Sequence, residues 1–305
     1  MKTAVVTGAG GFIGGALTKN LLSKGVTVYG IDISEKALSK HKDNDKFIPV
    51  IADFTKYKNI SELLSGAEID VFYHFAWQGV FGEAFKDYSM QLDNAKYACE
   101  ALIQAVKLKC KKFVFAGTYN EFEIINFLNS KEFEPRYTCI YSGAKTAAEI
   151  MCKTLAFNND IEYNAGLIAM AYGENNKSMM LPNVVISQLL KGIRPKLIKG
   201  DNLYDLIYID DIAEAFYAIG TRGKNLKSYY VGHRKLVTFK ELMSEVGKIV
   251  NPEIELRFGE YIDTDNKDYN IIDTEELYRD TGFECKADLE ESILKTAEWI
   301  REAGI

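Results

Sequence analysis

Cysteine, proline and histidine are scarce in this chain of 305 residues: five, five and three. The cysteines (Cys99, Cys110, Cys139, Cys152, Cys285) show no C-x-x-C spacing, and the histidines (His41, His74, His233) are scattered. This argues against a zinc site or a disulfide framework, and a reducing, cytoplasmic setting is expected. No stretch of about 18 apolar residues could span a bilayer. The first apolar run, Thr3–Thr7, is too short for a signal segment, so no membrane partner is expected. A basic excess is also missing: 37 Lys and Arg face 43 Asp and Glu, for a net charge of −6. That disfavours nucleic acid as a partner. The one basic run, Lys107 to Lys112, reads as a helix end, where cations complement the helix dipole. No internal repeat or low-complexity segment is visible, which excludes a solenoid.

What is present is alternation of strand and helix. Thr3–Thr7, Val26–Ile31, Phe47–Ile51, Val71–Phe75, Phe113–Ala116 and Glu162–Ala169 read as strands. Phe12–Ser23, Tyr57–Leu64, Tyr88–Leu108 and Tyr141–Phe157 read as helices between them. The order implies βαβ units and a parallel sheet, with runs lacking period-2 alternation because both faces are buried. Beyond residue 170 the pattern loosens. Gly173–Ser178 reads as a polar loop and Leu206–Ile209 as a strand. Leu181–Leu190, Asp211–Ile219, Phe239–Val250 and Leu289–Arg301 read as helices. The expected fold is α/β: a Rossmann-type doubly wound parallel sheet with a smaller C-terminal substrate-binding lobe. Residues 1–165 and a return segment near 205–232 would form the cofactor lobe, and residues 166–204 and 233–305 the other.

The first strand runs into Gly8-x-x-Gly11-x-x-Gly14 at the start of a helix. Glycines there allow a tight turn and close approach of backbone to a pyrophosphate, which the helix N-terminus then faces. A glycine pattern alone is weak, but here a strand precedes it and a helix follows. Asp32 ends the second strand, where an acid accepts hydrogen bonds from a ribose 2′-hydroxyl and repels a 2′-phosphate. NAD is therefore the expected cofactor. Asp53, after the third strand, either reaches the adenine or caps the strand end.

Tyr141 and Lys145 lie four residues apart, on one face of a helix. A nearby ammonium lowers a phenol's pKa, so the phenolate can take a proton from a hydroxyl while hydride leaves its carbon. Thr118 follows the fifth strand, at the carboxyl edge where open α/β sheets bind ligands, and its hydroxyl can bond the reacting oxygen. Trp77-Gln78-Gly79 either lines the nicotinamide pocket or packs in the core. The stretch Asn120–Pro135 reads as a surface connection with a short helix, or as a lid.

Gly8/Gly11/Gly14, Asp32, Asp53-Phe54, His74-Phe75-Ala76, Asn94, Thr118, Tyr141/Lys145 and Tyr208-Ile209-Asp210-Asp211 together resemble the NAD-dependent epimerase/dehydratase family. These are extended short-chain dehydrogenases/reductases, and the likeness covers almost the whole chain. The resemblance implies Thr118, Tyr141 and Lys145 as catalytic residues. It implies cofactor contacts from Gly8, Gly11, Phe12, Ile13, Gly14, Asp32, Asp53, Phe54, Phe75, Ala76, Asn94 and Lys145. Thr118, Tyr141, Asn183 and Arg257 would meet a nucleotide-sugar substrate. A homodimer through Tyr88–Leu108 and Tyr141–Phe157 is implied as well.

Departures from the family pattern narrow the reading. Sugar-nucleotide dehydratases carry Asp-Glu after the catalytic Thr, where this chain has Tyr119-Asn120. The elimination acid and base are then missing. An expected Arg-x-x-Asn reads Leu167-Ile168-Ala169-Met170, and Arg-Asp-Phe reads Tyr204-Asp205-Leu206. Asn175, Asn176, Lys177 and Asn183 could supply replacement contacts. The expected activity is a nucleotide-sugar epimerase working by hydride transfer at C4 of the hexose. The alternatives are an NAD(P)H-dependent 4-keto-6-deoxysugar reductase and a non-catalytic NAD-sensing protein.

Overall fold

Runs of β-branched and aromatic residues without polar alternation make the first half of the chain a sheet buried on both faces. The computed structural model describes residues 1–130, 134–262 and 267–305. β1 (Thr3–Thr7) leads into α1 (Phe12–Ser23), β2 (Thr27–Asp32), the one-turn α2 (Glu35–Leu38) and β3 (Phe47–Ile51). The short α3 (Ile60–Leu63), β4 (Val71–His74), the long α4 (Tyr88–Lys107) and β5 (Lys112–Thr118) follow. Next come α5 (Glu121–Asn129), α6 (Thr138–Asn158), β6 (Glu162–Ile168), β7 (Met170–Tyr172) and α7 (Leu181–Leu190). After β8 (Lys196–Ile198), β9 (Leu203–Tyr204) and β10 (Leu206–Tyr208) the chain forms α8 (Ile209–Arg222) and β11 (Lys227–Val231). It closes with β12 (Val237–Thr238), α9 (Phe239–Val250), β13 (Arg257–Tyr261), α10 (Glu276–Thr281) and α11 (Leu289–Ala303).

Seven strands form one sheet in the order β11-β6-β5-β4-β1-β2-β3. Every pairing in it is parallel. The chain winds outward from β1 through β2 to β3, then restarts at β4 on the other side. The order therefore reverses between β1 and β4, and ligands bind such sheets in the crevice beyond the carboxyl ends at that point. β3 is the edge strand, which is where Pro49 can sit without costing a ladder bond. This is the expected Rossmann-type doubly wound sheet.

Each face of the sheet carries its own apolar core. One cluster joins α1 and α8 to residues of α7, α9 and α11, through Leu17, Phe216, Ile186, Met243 and Ile293. The other packs α4 and α6 against the opposite face, through Ala98, Leu102, Phe113, Ala148 and Tyr163. Small residues on α4 and α6 let these helices lie close to the sheet and to each other.

Several boundaries differ from expectation. The expected helix Tyr57–Leu64 is a 3-10 turn, Phe54–Asn59, running into α3, because the Asp53 carboxylate accepts from the Thr55 amide and starts the turn earlier. The expected strand Leu206–Ile209 ends at Tyr208, since Ile209 already opens α8. β11 has no counterpart in the sequence reading. Its first residues, Lys227 and Ser228, are polar, as an edge strand permits. Residues 131–133 of the expected Asn120–Pro135 connection lie outside the described residues.

Candidate active site

The end of β1 turns sharply at Gly8, whose φ of +69° favours glycine. A side chain at Gly14 would run into the Gly8 carbonyl, so α1 starts hard against the turn. Gly11 is the N-cap of α1 and supplies no side-chain cap, which leaves that helix end to an anion. Phe12 and Ile13 are half-buried against the core beneath. At the end of β2 the Asp32 carboxylate is fixed by two amides, Gly10 N–H and Ser34 N–H, each at 3.0 Å. It thereby borders the glycine loop with acceptor capacity left for hydroxyl groups.

Thr7 ties this loop to the next strand. Its hydroxyl accepts from the amides of Phe75 (3.1 Å) and Ala76 (3.2 Å) and meets His74 Nδ1 at 3.0 Å. Those bonds set the chain beyond β4 across from Gly8, which lies close enough that a side chain there would press on Ala76. Asn94, expected among the cofactor contacts, is buried and commits its amide to the Gln78 backbone, donating at 2.8 Å and accepting at 2.9 Å. It supports the loop from behind. Asp53 takes the strand-end capping role. The side chain of Phe54 lies outside the described residues.

Tyr141 and Lys145 project from the first turns of α6 toward β5 and the loop after β4. Lys145 Nζ donates to the Ala116 carbonyl at 2.8 Å and lies 3.8 Å from the Trp77 ring centroid. Trp77 is held by its indole N–H on Gln91 Oε1 at 2.8 Å and meets Tyr141 edge-on, 6.2 Å between centroids. Phe85 packs on Tyr141 from another side at 4.9 Å. The Tyr141 phenol is 8% exposed. Burial raises its pKa, the Glu121 charge adds to that, and a hydrogen bond with Thr118 opposes both. Burial lowers the pKa of Lys145, against the nearby charges of Glu121 and Cys152. One cluster thus holds Thr118, Tyr141, Lys145 and Trp77 at the carboxyl end of β5, next to the glycine loop.

Residues 4–232 match the model of the NAD dependent epimerase/dehydratase family. The chain belongs to that family. The dTDP-D-glucose 4,6-dehydratase of Homo sapiens is 24% identical over 324 residues, covering 99% of this chain and 90% of that protein. A trifunctional UDP-glucose 4,6-dehydratase/UDP-4-keto-6-deoxy-D-glucose 3,5-epimerase/UDP-4-keto-L-rhamnose-reductase of Arabidopsis thaliana is 24% identical over 321 residues, 98% of this chain. The chain spans 47% of that longer relative. Among solved structures, UDP-N-acetylglucosamine 4-epimerase from Methanobrevibacter ruminantium M1 superposes with a TM-score of 0.80 at 20% identity, covering 99% of each chain. UDP-glucuronic acid 4-epimerase from Bacillus cereus, solved with UDP-glucuronic acid and NAD, gives 0.78 at 21% identity, covering 99% of this chain and 100% of that one. At these identities the solved structures share the fold.

The residues of this member of the NAD dependent epimerase/dehydratase family fit that cofactor. The cradle at Gly8 and Gly14 has no room for a side chain, and the Asp32 carboxylate is fixed where an adenosine ribose would lie.

The expected substrate residues are spread wider. Asn183, on α7, is buried and donates to the carbonyls of Asn176 (2.6 Å) and Ser178 (2.8 Å). It clamps the loop after β7, and its own Oδ1 is buried without a hydrogen-bond partner. Asn175 and Lys177 of that loop are exposed, and Asn176 is turned inward. Arg257 is exposed on β13, in register with Lys196. Tyr204 packs edge-on against Phe239, and the buried Asp205 binds His233 Nδ1 at 2.7 Å and the Tyr230 hydroxyl at 2.8 Å.

Sequence reasoning missed two carboxyls at the catalytic cluster, Glu121 and Glu149. The signal was available for one. Glu149 stands four residues after Lys145, on the face of α6 that carries Tyr141. Among the described residues no group of three or more His, Cys, Asp and Glu could hold a metal ion. No helix of the described residues is long and apolar enough to cross a membrane.

Proposed function

We propose that this enzyme is a nucleotide-sugar 4-epimerase. The observation that carries the reading is the cluster of Thr118, Tyr141 and Lys145 beside the glycine loop. Glu121, the acid nearest to Thr118 in sequence, is 5% exposed and accepts from the Thr118 amide at 2.8 Å, so it faces the core. Elimination across C5 and C6 of a sugar needs an acid and a base on the substrate side, and among the described residues of the cluster that side offers the Tyr141 phenol and the Thr118 hydroxyl.

NAD, when bound, supplies the hydride acceptor and later returns the hydride. Tyr141 takes the proton of the C4 hydroxyl, and Thr118 donates a hydrogen bond to the same oxygen. Lys145 Nζ lies 6.0 Å from the Tyr141 ring centroid, and when protonated it draws Tyr141 toward its phenolate, against the burial that holds the phenol's proton on and lowers the pKa of Lys145. Trp77 and Phe85 wall the phenol from water. The expected boundary at residue 166 moves to the end of β6, and residues 169–204 and 233–305 form the lobe that holds the nucleotide, with Arg257 exposed for a diphosphate. The partner is a second copy, docked through α4 and α6.

A 4-ketoreductase is the second reading, favoured by Leu167 and Met170 where polar sugar contacts are expected, which suits a deoxy sugar. Mass spectrometry of the purified protein after denaturation separates the two. Stoichiometric NAD means the cofactor is recycled in place and supports the epimerase. A protein isolated empty overturns it in favour of the reductase. Tyr141→Phe should lower C4 turnover about 10² to 10⁴-fold with NAD still bound. Activity that survives the change would refute this mechanism.

A further inference from the structure

Two cysteines meet where the two longest helices touch. α4 and α6 lie close because alanines fill their seam: Ala95, Ala98 and Ala101 on one, Ala148 and Ala156 on the other, all buried in one apolar cluster. At that seam the Cys152 thiol of α6 donates a weak hydrogen bond to the Cys99 sulfur of α4, 4.0 Å away. That separation is too short for another atom to stand between the sulfurs. Cys152 is fully buried, whereas Cys99 is partly exposed. Among the described residues no other two cysteines are in contact.

We propose that Cys99 and Cys152 are an oxidative modification site: a dithiol that reacts with a low-molecular-weight disulfide such as oxidised glutathione and closes to a bond tying α4 to α6.

Exposure and the direction of the hydrogen bond divide the roles. The thiolate is the form that attacks a disulfide. Cys99 is the sulfur that solvent reaches and the one that accepts. The hydrogen bond from Cys152 lowers its pKa, against burial and the Glu100 charge. Cys99 attacks one sulfur of the oxidant, a mixed disulfide forms, and the first small thiol leaves. Cys152 then releases its proton and attacks the Cys99 sulfur, and the second small thiol leaves. The protein gives up two electrons and two protons, and the oxidant departs as two thiols. The hydrogen bond to Cys99, with burial, holds the Cys152 pKa well above the ordinary value. Once Cys99 is capped, no thiolate faces Cys152 and that hindrance falls. The sulfurs must close to about 2.05 Å, a step that side-chain rotation favours where the helices already touch.

The bond would join the helix whose Gln91 holds Trp77 to the helix that carries Lys145. Cys152 lies two turns beyond Lys145 on the same face of α6, and Cys99 about two turns beyond Gln91 on α4. Oxidation therefore stiffens the pair of helices on which the Trp77–Lys145 contact is built.

The test uses the full chain with NAD bound, incubated with oxidised glutathione at about pH 8 and alkylated after denaturation. The wild type should lose two hydrogens in mass and shield two of its five cysteines from alkylation. A peptide map should join Cys99 to Cys152 within one chain. The melting temperature should rise by about 5 °C and return on reduction. Cys152→Ala should stop at a glutathione adduct on Cys99, with no rise in melting temperature. Should that variant not fold, Cys99→Ala decides in its place, and it must abolish both the cross-link and the rise. A wild type whose five cysteines all stay open to alkylation, or that stops at the adduct, overturns the site. So does a cross-link between two chains. A cross-linked protein that melts no higher overturns the stiffening.

Discussion

His74 shows how a single ring ties the site to acid stability. It is 1% exposed at the end of β4, bonded to Thr7 through Nδ1 and stacked against Phe113 and Phe115 of β5. Its Nε2 is buried with no partner, which suits a neutral ring. Burial first, and the Lys145 charge second, lower its pKa from 6.5 to about 3. The folded protein therefore keeps the ring neutral where the unfolded chain takes up a proton. The stability this gives is complete above pH 6.5 and is lost as pH falls toward 3. By about pH 4 the loss should be on the order of 3 kcal/mol. Urea unfolding at about pH 7 and pH 4 checks this, with His74→Gln as the comparison. The variant should lose less on acidification than the wild type. Equal losses in both would show that the ring is not the source.

Among the elements, the strands that were legible in the sequence are mostly those of the large sheet with continuous apolar runs. β1, β2 and β4 to β6 read directly because burial demands apolar runs, β3 reads as an apolar run although it is a largely exposed edge, and the structure keeps all six within a residue or two. The pieces that were not legible are β11, at the edge of the large sheet, and β7, β8, β9, β12 and β13, each in a two-stranded sheet. The longest has five residues, and their form depends on partners far away in the chain. The site divides in the same way. The glycines and the Tyr141/Lys145 pair are encoded by spacing along one element. Trp77 over Lys145 arises only when the loop after β4 is brought against α6. α9 is a helix whose start is encoded locally: Thr238 Oγ1 accepts from the Glu241 amide at 3.2 Å, and Glu241 accepts from the Thr238 amide at 2.8 Å. Because α9 packs in the core shared with α7 and α11, Thr238→Ala should cost about 1 kcal/mol of unfolding free energy. Chemical denaturation measures it, and an unchanged midpoint would mean that tertiary packing alone sets the helix start.

At the scale of the whole molecule, the outer faces of α4 and α6 are apolar and exposed. These helices pack on each other and on one face of the sheet, yet Tyr88, Leu92, Ile150, Met151 and Phe157 are between 41% and 69% exposed. Scattered single apolar residues are ordinary on a surface, but five on two adjacent helices form a patch of the kind that marks an interface. Two such helices from each of two copies would give a self-complementary contact about a two-fold axis, with each patch meeting its own image. The site itself depends on these helices, since α6 carries Tyr141 and Lys145, and α4 carries the Gln91 and Asn94 that hold Trp77 and Gln78. A dimer would therefore brace the catalytic cluster from the side opposite the cleft. Leu92→Glu combined with Ile150→Glu places charge in the centre of the patch without touching either core. Sedimentation should show a dimer for the wild type and a monomer for the double variant, with a lower melting temperature in the variant. A wild-type monomer at micromolar concentration, or a double variant that still dimerises, would remove α4 and α6 from the interface.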